Sequence, residues 1–120
     1  MPLTNVETAL RDIAAAIESV ERCTAGMDCA DFRETPTTIA AVEHQLHVIS
    51  EAAVRLGDDA ESHCPSHSWR GLRGMGNWLP KRHEWNWLSA VWKAVRTDLP
   101  PWKAAVLHAL DIAAAGPPQG

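Results

Sequence analysis

The residues best equipped for chemistry crowd between Trp69 and Trp92, where Arg70, Arg73, Lys81 and Arg82 flank Asn77 and His83, with Trp78, Trp85 and Trp87 interleaved. Guanidinium and ammonium groups hold phosphate oxygens, and a histidine gains or loses a proton near neutral pH. An amide side chain orients a reacting group, and an indole face stacks on a base. Together these residue types point to a nucleic-acid-facing site that binds a phosphodiester and moves a proton beside it. Arg70, Arg73, Lys81 and Arg82 are the candidate phosphate ligands, and Lys93 and Arg96 could extend them into a track. Trp69, Trp92 and Trp102 fall on apolar helical stripes and suit packing, which leaves Trp78 and Trp85 as the surface indoles.

The remaining chain reads as helical scaffold. Val6, Leu10, Ile13, Ile17 and Val20 step by three and four along one helical stripe, after Thr4 or Asn5 as a cap and before Gly26 as a left-handed terminator. One further turn over Asp28 to Glu34 carries Phe32 toward the core. Thr35 caps the next helix and Pro36 takes its first position, where a missing N–H costs nothing. Ile39, Val42, Leu46, Ile49, Ala53 and Leu56 then form a second stripe, which stops at Gly57-Asp58.

A third helix is expected from Ser68 or Trp69 to Leu79, weakened by Gly71, Gly74 and Gly76 at about 1 kcal/mol each and ended by Pro80. Asn86 caps a fourth, with Leu88, Val91, Trp92 and Val95 inward and a stop at Asp98-Leu99-Pro100. Pro100-Pro101 opens a last helix bearing Trp102, Val106, Leu107, Leu110 and Ile112. No segment alternates with the period of a strand. The expected fold is an all-α, up-and-down bundle of four or five helices in a single domain over 1–120, with its core at about 3–113 and a tail at 116–120.

Charge is divided unevenly. Residues 1–61 carry twelve acidic and four basic side chains, a balance of −8, and residues 62–120 carry three and seven, a balance of +4; the sum is the net −4 of the whole chain. An acidic partner for the second half follows from this. Three cysteines, Cys23, Cys29 and Cys64, make no disulfide framework and suit a reducing compartment, so a cytoplasmic protein is expected. No apolar run approaches membrane-spanning length, and the N-terminus shows no secretion signal. His63-Cys64-Pro65-Ser66-His67 contains two zinc-ligand types, but structural zinc needs a second pair that the sequence lacks. His44 and His47, beside Glu43 and Glu51, read as exposed polar face. Neither a metal nor a cofactor is expected.

The landmarks in their order resemble a known family. Ile49-Ser50-Glu51-Ala52-Ala53, Cys64-Pro65 with Trp69 four residues on, Leu72-Arg73-Gly74-Met75-Gly76-Asn77-Trp78-Leu79, Val91-Trp92 and Asp98-Leu99-Pro100 are similar to HepT-like proteins. These are the toxin branch of the HEPN superfamily (higher eukaryote and prokaryote nucleotide-binding). The resemblance covers roughly Leu3 to Ala113. It implies a helical homodimer that cleaves RNA or tRNA at a site shared between the copies, and a nucleotidyltransferase partner acting as antitoxin.

The family motif is Arg, a polar residue and, after four to six intervening positions, His, often with Tyr two further on. Carried over without gaps, the Arg position is Gly76, the polar position Asn77, the usual His position Lys81 and the Tyr position His83. With the longest family spacing, His83 itself takes the His position and only the Arg is lost. Three explanations stay open: natural divergence with partner binding kept, activity through Arg82, Lys81 and His83, or a single inactivating Arg-to-Gly change. The altered Lys81 and His83 favour divergence. The chain contains no tyrosine, so the tyrosine nucleotidylation known in some members has no acceptor here.

Overall fold

The computed structural model describes residues 5–56 and 86–115, all helical apart from short turns. Helix α1 spans Asn5–Thr24, α2 Cys29–Arg33, α3 Pro36–Leu56 and α4 Trp87–Lys93. A π-helical turn, Ala94–Asp98, joins α4 to α5, Leu99–Ala115. No described residue lies in a strand, and the fold is an all-α bundle as expected. Among the described residues no helix is long and apolar enough to cross a membrane.

Helix α1 is the axis of the bundle. Leu10, Ile13, Ile17 and Val20 are buried as their spacing predicts, and Ala9, Ala14 and Ala16 are buried beside them. That width exceeds a single stripe because α1 packs along α3 on one side and α5 on the other. Both neighbours run antiparallel to it. Arg55, near the end of α3, binds Asp12 near the start of α1 at 2.7 Å, and Lys103, early in α5, binds Glu21 late in α1 at 2.7 Å. Exposed pairs of this kind contribute about 0–1 kcal/mol each and report the register more than they hold it. Burial of Ile39, Val42, Leu46, Ile49 and Leu56 from α3 contributes more, roughly 1.5–3 kcal/mol per large side chain.

The turn between α1 and α3 is closed by local chemistry. Gly26 takes φ 76°, the left-handed value expected of a helix terminator. Asp28 and Asp31 then form a reciprocal capping box: the Asp28 carboxylate accepts from the Asp31 N–H at 2.8 Å, and the Asp31 carboxylate accepts from the Asp28 N–H at 3.1 Å. This fixes α2, which delivers Phe32 to full burial. Pro36 opens α3 as predicted, but the Thr35 hydroxyl is used differently: it donates to the Asp31 carbonyl at 2.8 Å and closes α2.

The C-terminal helices depart from expectation in three respects. Asn86 precedes α4 and its carbonyl accepts from the Ala90 N–H at 3.0 Å, yet at φ −95° and ψ 6° it is outside the extended conformation of a capping residue and its side chain makes no cap hydrogen bond. The expected stop at Asp98-Leu99-Pro100 is a π turn instead, in which the Leu99 N–H reaches the Ala94 carbonyl. An α-register would press the Pro100 ring on the Arg96 carbonyl. Widening by one residue relieves that, and Pro100 and Pro101 become first-turn positions of α5, where no N–H is required. Finally, Leu107 and Ile112 are exposed rather than inward. The inward stripe is Leu99, Ala105, Val106 and Ala109, whose alanines allow a close approach to α1.

Candidate functional site

Helix α3 ends with the buried Leu56 and α4 begins with the buried Trp87, so the stretch carrying the motif is bounded at both ends by side chains fixed in the core. The motif positions Gly76, Asn77, Lys81 and His83 and the cations Arg70, Arg73 and Arg82 lie outside the described residues. So do Trp69, Trp78, Trp85, the third helix expected before Pro80 and the His63-to-His67 stretch. Trp87 is not a base-stacking surface: it is only 8 % exposed and belongs to the core.

The surface that adjoins this stretch is described in detail. Helix α4 and the π turn direct Trp87, Val91, Ala94 and Val95 inward and leave Ser89, Lys93 and Arg96 exposed. Trp92 is half-buried between the two faces. Its ring lies 5.1 Å from that of Phe32, inclined at 35°, and the Arg96 guanidinium sits 5.5 Å from its centre. Ring contact and cation–π attraction thus tie α2, α4 and the π turn into one unit. Arg33 completes it from α2 by donating to the Ser89 hydroxyl. Arg33 is a residue that sequence reasoning passed over: it stands in the acidic half, and its partner is 56 positions away, beyond any local spacing rule.

A groove of about 370 Å³ opens behind this unit, with Ile17, Val20 and Leu99 on its floor and Glu21 and Arg96 on its rims. Glu21 accepts a hydrogen bond from Lys103 at 2.7 Å, and among the described residues no ion pair joins it to Arg96. The hydrogen bond to Glu21 raises the Lys103 pKa above 10.5, reinforced by the charges of Glu21 and Glu18 and opposed by desolvation. On the far side of the bundle His44 and His47 are exposed, and His47 pairs with Glu51 at 3.0 Å, as the polar reading of that face required. Cys23 and Cys29 are free thiols, both half-buried.

Comparison with known proteins covers a range that includes the motif stretch. A family profile described as "Ribonuclease HepT-like" matches residues 13–109. A probable ribonuclease HepT of Thermococcus cleftensis is 32 % identical over 94 residues, which cover 78 % of this chain and 86 % of that protein. A protein of Methanocaldococcus jannaschii that carries a provisional RNase name is 26 % identical over 106 residues, covering 88 % and 97 %. No solved structure matches the chain.

Proposed function

Because the chain belongs to the HepT-like ribonuclease family, we propose that it is, by descent, the RNA-cleaving toxin of a pair whose antitoxin is a nucleotidyltransferase, with catalysis weakened by the glycine at the motif arginine position. The observation that carries this reading is the family match across residues 13–109, which spans the whole motif stretch. The working unit is a homodimer with RNA, including tRNA, as substrate and the cytoplasm as its compartment. His83 takes the proton from a 2′-hydroxyl or returns one to the leaving oxygen, and Asn77 orients the attacked group. Arg82 or Arg73, with Lys81 and Arg70 beside them, holds the phosphate whose charge grows in the transition state.

Gly76 also supports a second reading. A position without charge cannot clamp a phosphate, so the chain would be a non-catalytic helical dimer whose basic half binds the nucleotidyltransferase. One assay separates the two. Purified protein is incubated with RNA and tRNA alongside Gly76→Arg and His83→Ala. The weakened-enzyme reading expects slow cleavage that His83→Ala abolishes and Gly76→Arg raises by about 10²- to 10³-fold, the usual worth of one transition-state donor. No cleavage by either wild type or Gly76→Arg, with tight partner binding, establishes the non-catalytic dimer.

A further inference from the structure

We propose that Arg33, Ser89, Lys93 and Arg96 form a phosphate-binding track that leads a single RNA strand to the motif stretch. This rests on the RNA-directed reading above and adds to it a binding surface outside the motif.

Continuity is the first support. Arg33 is hydrogen-bonded to Ser89 across α2 and α4, Ser89 and Lys93 are one helical turn apart, and Arg96 follows on the π turn over Trp92. Neighbours at this spacing have Cβ atoms about 5–6 Å apart on a helix surface. All four are exposed. Ser89 accepts from Arg33 and so keeps its own O–H to donate, which makes the track a row of donors, the type of group that contacts phosphate without reading sequence.

Among the described residues the charges are also unpaired. Among the described residues no ion pair joins a carboxylate to Arg33, Lys93 or Arg96. Of the nearby acids, Asp28 and Asp31 face each other in the capping box and Glu21 across the groove is held by Lys103, while Asp98, on the same turn as Arg96, enters no ion pair among the described residues. Glu34 is exposed beside Arg33 in sequence but enters no ion pair with it. Arg96 is pre-oriented by the Trp92 ring, so fixing it on a phosphate costs little side-chain entropy.

Covalent reach supplies the third support. Ser89 lies six positions after His83, and an extended chain of that length spans at most about 20 Å. A strand lying at the motif histidine therefore passes within a few nucleotides of the track, whatever path residues 84–88 take.

The test is binding of a 2′-O-methyl RNA oligonucleotide, which resists cleavage at its 2′-oxygen, by the full chain over a series of salt concentrations. For the variant Arg33→Gln, Lys93→Gln, Arg96→Gln we expect weaker binding and a log–log salt slope shallower by about 2, near 0.7 per lost phosphate contact. The charge-preserving variant Arg33→Lys, Lys93→Arg, Arg96→Lys should keep the wild-type slope, and both variants should remain cooperatively folded in urea unfolding at the salt concentrations used. Unchanged affinity and slope in the neutralised variant overturn the track while leaving the RNA reading intact. Binding that depends on the track, together with no cleavage of unmodified RNA by the same wild-type protein, overturns the catalytic reading alone. If the wild type binds no RNA, or the variant loses only its nucleotidyltransferase partner, the track as an RNA surface is wrong.

Discussion

Single side chains carry separable parts of this structure. Gly26 holds φ 76° in open space, and a Cβ built there meets nothing within 4 Å. The cost of Gly26→Ala is therefore conformational, about 1–2 kcal/mol, and Gly26→Asn should cost less because asparagine tolerates the left-handed region. Urea unfolding of the two variants checks the order. Lys103 offers a contrasting case, set by charge. Its folded pKa lies above the ordinary 10.5 because Glu21 accepts its hydrogen bond, so the contact's contribution to stability is fully present below 10.5 and is lost as pH rises through the folded value. The stability difference between wild type and Lys103→Met should accordingly stay constant from neutrality into mild alkali and shrink above 10.5. A difference that shrank on acidification from neutral to mildly acidic pH instead would contradict that assignment.

At the scale of elements, Phe32 and Trp92 are the joint between α2 and α4. Phe32 is fully buried, and Phe32→Ala is expected to cost about 3–5 kcal/mol. A double-mutant cycle with Trp92→Ala should return a coupling of about 0.5–1.5 kcal/mol for the ring pair, and a coupling near zero would show that each ring packs independently. The same scale shows how far sequence carries. The stripes of α1 and α3 and the role of Gly26 were legible because each depends on neighbours three and four positions away. Phe32 was legible for a simpler reason, as the lone phenylalanine in a short acidic turn. The π turn was not legible. Asp98-Leu99-Pro100-Pro101 contains every sign of a helix end; the Pro100 ring accounts for the widened turn, and burial of Val95 and Leu99 accounts for the helix continuing past it. Leu107 was misplaced for a related reason: alanines at 105 and 109 carry little hydrophobic signal, yet they are what permits α5 to lie close.

For the molecule as a whole, the bundle and the family were both readable from order and spacing of landmarks spread along the chain, and the match over residues 13–109 agrees with them. Catalytic competence is a different matter. On the function proposed above it turns on one position, Gly76, and on how Lys81, Arg82 and His83 stand to each other, which no periodicity encodes. Arg33 makes the same point from the other direction, because its place beside Ser89 arises only when α2 and α4 meet. The central position of α1 has one more consequence, and it concerns the order of events during synthesis. The α1–α2–α3 unit closes through contacts near in sequence, so it can form while the ribosome is still making the motif stretch. The side of α1 beside Ile17 and Val20 then waits, uncovered, for Leu99 and Val106 from the last helix. The newborn chain thus carries its entire motif stretch before its scaffold is sealed, and completion of α5 is the step that commits it to the finished fold.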